Sequence, residues 1–207
     1  MTDPLSSPPP SPPPSGYPAV LRFDAPLEVA RWRPLVHWIL VIPHLFVAGI
    51  LGQVAELLSI LSWFSIVFTG NQVEGISRFQ VMVLRYEARV ASYALWMREP
   101  YPAFEFPMEE ADDGSDLVRV DLTGQIEGRN RLTVGLRFLW IIPAVLFAMV
   151  IWFVAWLAIV VGWFAVIILG RWPEGLRRFV IGALRVSLRI GAYARLVVDD
   201  YPPFSTE

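Results

Sequence analysis

The sequence predicts a mainly α-helical integral membrane protein built as a tandem duplication, and three observations carry that expectation. Phe138 to Gly170 runs for 33 residues without an ionisable side chain, well beyond the roughly 20 apolar residues that cross one hydrocarbon core. A second such run, Leu35 to Gly70, contains a single charge, Glu56. The two runs sit in segments that match one another at a spacing of one hundred residues.

Composition agrees. Of 207 residues 55% are hydrophobic and nine are tryptophan; every one of the 17 basic residues is arginine, and none falls inside either apolar run. Cysteine is absent, which removes disulfides, thiolate metal sites and cysteine nucleophiles. The N-terminus lacks the basic start and apolar centre of a secretory signal, so the internal apolar runs are expected to direct targeting.

In chain order, residues 1–16 form a Pro-rich tail, with triplets at Pro8–Pro10 and Pro12–Pro14, and are expected to be disordered or polyproline II. The first membrane repeat is placed at 17–107. It opens with a short strand, in which Val20, Arg22 and Asp24 alternate with Leu21 and Phe23, and continues through the interfacial Arg31-Trp32-Arg33-Pro34. As one helix, residues 35–69 would reach about 50 Å against about 30 Å of hydrocarbon. Gly49, Gly52, Gln53 and Glu56 near the midpoint therefore suggest a transmembrane helical hairpin with its turn at the far interface.

After Gly70-Asn71, residues 72–98 read as an amphipathic helix with apolar positions Ile76, Phe79, Val83, Tyr86, Val90 and Tyr93. Arg78, Arg85 and Arg89 lie on a neighbouring strip. Such a helix is expected in the headgroup layer, with its arginines reaching lipid phosphate. An acidic linker, 108–116, leads to the second membrane repeat, 117–207.

There Leu117 to Asp121 answers Val20 to Asp24, and Arg129-Asn130-Arg131 answers Arg31-Trp32-Arg33. Thereafter the offset is constant: Pro43 and Pro143, Trp63-Phe64 and Trp163-Phe164, Gly70 and Gly170, and Arg78, Arg85, Arg89 and Tyr93 with Arg178, Arg185, Arg189 and Tyr193. The second copy has Phe153 and Trp156 where the first has Gln53 and Glu56. With a hairpin in each copy, every arginine falls on one side, in keeping with the positive-inside rule. The expected topology is four short transmembrane helices in the inner (plasma) membrane, with both termini cytoplasmic.

Tyr17-Pro18 before a strand, Trp38 through Ile42-Pro43-His44, Trp63-Phe64 leading to Phe68-Thr69-Gly70, and the closing Asp199-Asp200-Tyr201-Pro202-Pro203-Phe204 resemble a bacterial membrane family, common in actinobacteria, catalogued as domain of unknown function 4389. The resemblance covers both copies. It implies a membrane location and brings no catalytic residues with it.

Candidate chemistry is sparse. His37 and His44 share a helix face but lack a carboxylate partner for a metal. Glu56 is the only acid in an apolar run, and intramembrane carboxylates invite a functional reading; with His37 and His44 it defines a candidate polar path. Ser59, Ser62 and Ser65 recur as small residues do where helices approach closely. No catalytic constellation, cofactor motif or metal-ligand cluster is present. The strongest repeated constellation, Arg78, Arg85, Arg89, Arg178, Arg185 and Arg189, is expected to contact anionic headgroups or a partner protein. The expected function is a non-enzymatic scaffold or accessory subunit in contact with anionic lipid, a membrane protein partner or a second copy. The alternative is a small transporter or channel component.

Overall fold

The computed structural model describes residues 16–109, 112 and 116–207; the Pro-rich tail up to residue 15 and part of the acidic linker lie outside the described residues. The elements are β1 (Ala19–Phe23), α1 (Arg33–Leu40), α2 (Ile42–Thr69), α3 (Glu74–Ala94), β2 (Val118–Leu122), α4 (Arg131–Gly135), α5 (Arg137–Leu169) and α6 (Glu174–Ala194). The chain is mainly helical, with two tandem repeats and two helices long and apolar enough to cross a membrane.

The expected hairpins are absent. Residues 42–69 and 137–169 each form one continuous helix, because nothing in either midpoint breaks the backbone ladder. A turn there would leave amide groups unpaired in an apolar setting. Gly52 is a packing residue: a Cβ at this position would lie 3.2 Å from Glu87 Oε1. The break in the first run falls instead at Val41, ahead of Pro43, which α2 accommodates in its first turn. Both long helices end on a left-handed glycine, Gly70 and Gly170.

β1 and β2 pair antiparallel, with Arg22 opposite Arg119. Since these two residues are equivalent in the duplication, the pseudo-twofold axis relating the repeats passes through that pair. The ion pairs obey it: Arg22 meets Asp121 at 2.6 Å and Arg119 meets Asp24.

The repeats exchange their N-terminal arms. β1 packs on α6 and β2 on α3, while α4 lies against α2 and α1 against α5. Backbone bonds fasten each arm to the other repeat: Val29 N–H donates to Gly170 O and Trp172 N–H to Leu27 O, and correspondingly Arg129 N–H donates to Gly70 O and Gln72 N–H to Ile126 O. These bonds also correct the arm alignment. Arg31 packs beside Gly170 and Arg131 beside Gly70, so the offset of one hundred reaches back to residue 29. The extra residues of the second copy fall between β2 and Arg129.

α3 and α6 are packed between other elements and do not lie free on the surface. The stripe of α3 that includes Val83, Tyr86, Val90 and Tyr93 packs on α2, through clusters containing Val41 and Ala55. On the far side of α3, Arg85 donates to the β2 carbonyl of Val120 at 3.2 Å. Two residues subtend about 200° on a helix, so α3 is covered on opposite faces. The result is a stack of three layers: α2 and α5, then α3 and α6, then the two-stranded sheet.

α2 and α5 touch the middle layer along one narrow stripe of mostly small residues, Ala55, Ser59, Ser62 and Ile66 on α2 and Ala144, Ala155, Ala158, Gly162 and Val166 on α5. Most of the remaining surface of each helix is apolar, with large side chains exposed along its length: Phe46, Leu57, Leu61 and Phe68 on one; Leu146, Phe153, Trp156 and Ile168 on the other. Gly162 is the tightest point of the stripe, since a Cβ there would fall 2.2 Å from the buried ring of Trp172. Gly162→Ala should lower stability by about 1–3 kcal/mol through overpacking, despite roughly 1 kcal/mol of gained helix propensity. Gly49→Ala, where a Cβ meets open space, should not destabilise. Thermal unfolding of both variants in detergent checks the contrast.

Candidate functional site

The arginines expected on an outward strip divide into two groups. Arg78 and Arg178 are exposed and pair with Glu74 and Glu174 one turn back, at 2.5 and 2.6 Å. The other four turn inward, because the strip lies where the sheet, the linker and the C-terminal segment cover α3 and α6. Arg85 is buried and donates to the carbonyls of Val120 and Glu109. Arg89 binds Asp112 at 2.9 Å. Arg185 reaches Leu21 O of β1. Arg189, also buried, donates to Ser205 O and Glu207 O and lies over the Tyr17 ring. Arg85, Arg89, Arg185 and Arg189 therefore tie α3 and α6 to the sheet, the linker and the C-terminal segment. The acidic linker is likewise no simple solvated run, since Asp112 is almost fully enclosed and Asp116 pairs with Arg98.

His37, His44 and Glu56 do not converge. His37 is fully buried, stacked on Tyr93 at 4.1 Å, and its Nδ1 lies 3.0 Å from Tyr93 O. A carbonyl can only accept, so Nδ1 carries the proton and Nε2 accepts from Arg33. Arg137 occupies the same place in the second copy, bonded to Tyr193 O and set over the Tyr193 ring. His44 is enclosed by Phe104, stacked at 4.0 Å, by Tyr101, and by the Tyr86 hydroxyl 2.7 Å from Nδ1. Glu56 is twelve residues further along α2, about 18 Å away. It is held there by Arg195, which also forks onto Glu87 at 2.8 and 2.9 Å.

Two features were not anticipated. One is a buried polar network that joins the first copy to the second copy's arm: Gln80 donates to Ser59 Oγ, Gln72 to Gln80 Oε1, and Arg129 to Gln72 Oε1 at 2.6 Å. The equivalent positions are Val180, Ile159, Trp172 and Val29, and the network is visible in sequence only as a polar set that the duplication fails to repeat.

The other is Asp199, which receives hydrogen bonds from Arg129 and Arg137 at 2.6 and 2.5 Å and from the Asn130 amide. Glu99 does the same work in the first copy, accepting from the Ala30 amide at 2.8 Å and lying near Arg33. A carboxylate after each middle-layer helix thus anchors the approach to an arm helix, α1 or α4. Between α2 and α5 an apolar cleft of about 400 Å³ is lined by Ile60, Trp63, Phe64, Phe138 and Ile141, with Glu56 and Arg137 at its polar edge. Both of these charged groups already have partners.

Burial alone would raise the Asp199 carboxyl, but the hydrogen bonds and charges of Arg129 and Arg137 outweigh it and hold the group below the ordinary carboxylate range. A depressed carboxyl adds stability above its ordinary pKa, and that stability is lost as pH falls through the folded value. The unfolding midpoint should therefore drop below about pH 4, and Asp199→Asn should lack this part of the acid sensitivity. At neutral pH the substitution leaves two buried guanidinium groups without their carboxylate and should cost about 3–5 kcal/mol. A pH series of denaturation curves reads both effects.

No curated protein and no solved structure matches the chain. The family whose pattern does match is described as Domain of unknown function (DUF4389), and it matches twice, at residues 31–105 and 131–206. Both matches contain the arm helix, the long apolar helix, the middle-layer helix and the Tyr-Pro-x-Phe strap, and on them the chain belongs to that family.

Proposed function

We propose that this is a membrane-embedded, non-enzymatic accessory or scaffold protein of the plasma membrane, which presents α2 and α5 to lipid and keeps its sheet and C-terminal strap on the cytoplasmic side. The observation that carries the reading is the length of the two exposed apolar faces. Each runs from one end of its helix to the other, far larger than the isolated apolar patches of water-soluble surfaces. Lipid is the solvent for which such a surface costs nothing.

Contact with anionic lipid moves, in this reading, from the middle-layer arginines to the ends of the long helices. Arg31, Arg131 and Arg171 are exposed and make no ion pair among the described residues. Arg31 and Arg171 stand where α1 begins and α5 ends, and Arg131 stands where α4 begins and α2 ends. Guanidinium groups at helix ends reach phosphate readily. The cytoplasmic side follows from the preference of arginine for it. A transport path through Glu56 and the histidines has no geometric support, because their side chains face separate, occupied surroundings.

The full chain should co-float with lipid vesicles and resist alkaline carbonate extraction. Leu57→Glu combined with Phe153→Glu should abolish insertion. Replacing Arg31, Arg131 and Arg171 with Gln should weaken the preference for anionic over neutral vesicles by roughly fivefold per arginine, from about 1 kcal/mol each, while leaving insertion intact. Ion or proton flux in proteoliposomes that disappears with Glu56→Gln would contradict the accessory role.

A further inference from the structure

The layered architecture says how the protein sits in the bilayer, an inference that rests on the membrane reading above and goes beyond it. Ala55, at the middle of α2, packs on Val83 of α3, and Arg85, half a turn away, bonds Val120 of β2. In the second copy Trp152 bonds Ser187 at 2.6 Å, and Arg185, two residues away, reaches Leu21 of β1. The sheet therefore lies opposite the midpoint of both long helices, with the middle layer between.

If α2 and α5 crossed the bilayer, the sheet would be level with its centre. Its two ion pairs, Arg22 with Asp121 and Asp24 with Arg119, would then face hydrocarbon with side chains 32–56% exposed. Charges at that depth are found facing a protein interior or a water-filled cavity, not lipid. Glu56, 60% exposed and also near mid-helix, would share the problem.

Length gives an independent argument. Helices of 28 and 33 residues are about 42 and 50 Å long, and fitting them into about 30 Å of hydrocarbon needs tilts of about 45° and 53°, outside the roughly 0–40° range of membrane helices. The arginines give a third. Arg31 and Arg171 stand at one end of the helix pair and Arg131 at the other, so a crossing would put them on opposite sides of the membrane, against their usual one-sided placement.

We propose that α2 and α5 lie along the membrane plane within a single leaflet, making the protein monotopic. One layer of helices is about 10–12 Å thick, which fits a leaflet with about 15 Å of hydrocarbon. The axis relating the repeats then stands along the membrane normal, and both copies meet the lipid in the same way. α3 and α6 sit at headgroup depth, along with Glu56, Glu87 and Arg195, which join α2 to that layer. The sheet and its four charges are in water, and arginines at both helix ends meet the same plane of phosphates.

Polarised infrared spectroscopy of the unmodified chain in oriented bilayers tests this. The amide I dichroism should show helix axes near the membrane plane; axes within about 40° of the normal would overturn the proposal. As a second readout, Asn71→Cys and Arg171→Cys, at opposite ends of the helix pair in a chain without cysteine, should react with a membrane-impermeant maleimide from the same side in sealed right-side-out and inside-out vesicles. Reaction from opposite sides would refute the single-leaflet placement while leaving membrane residence intact. Failure to float with vesicles at all would instead refute the membrane reading on which the proposal rests.

Discussion

Two long helices touch their own protein along one stripe and leave long apolar faces exposed, and the rest of the structure is arranged around that constraint. The stripe itself is made of alanine, serine and glycine with few larger residues, so the long helices approach α3 and α6 closely and lose little apolar surface to the interior. Large side chains point outward along their whole length. This inverts the pattern of a water-soluble helix, in which the bulky apolar residues face inward.

The polar half of the molecule answers a different demand. α3 and α6 carry arginines into a middle layer covered on both faces, where an unpaired guanidinium would be costly. The fold meets this with backbone carbonyls and carboxylates drawn from distant segments: Val120 and Glu109 for Arg85, Ser205 and Glu207 for Arg189, and Asp199 for Arg129 and Arg137. Arg85 and Arg189 thereby tie the middle layer to β2, the linker and the C-terminal strap, while Arg129 and Arg137 tie the second arm and the start of α5 to Asp199. Exchange of arms makes the two repeats one structure, and the reciprocal ion pairs about the Arg22–Arg119 position close it.

Much of this was legible in the sequence. The duplication, the two short strands, the apolar runs and the family resemblance all rest on local words that survive folding unchanged. The hairpins are not, because the length of an apolar run does not say whether the backbone breaks within it, and both midpoints stay inside one unbroken helix. Sequence periodicity sets the arginines of α3 and α6 on one strip, but it cannot say what covers a face. Arg85 and Arg189 look like surface residues until the sheet and the C-terminus are docked on them. The role of Asp199 was hidden by distance, since its partners Arg129 and Arg137 lie more than sixty residues earlier. The match between His37 and Arg137 was hidden by chemistry, for an imidazole and a guanidinium perform the same stacking and carbonyl bonding on Tyr93 and Tyr193.

The claim beneath all of this is that lipid solvates the outer faces of α2 and α5. Its most direct test is a nitroxide scan of single cysteines at Phe46, Leu57, Phe68, Leu146, Phe153 and Ile168 in lipid vesicles, comparing collision with oxygen, which concentrates in hydrocarbon, against collision with a water-soluble nickel complex. High oxygen and low nickel accessibility at all six positions, with no depth gradient along either helix, is the predicted result. High nickel accessibility, or low accessibility to both reagents because protein covers the faces, would contradict the account.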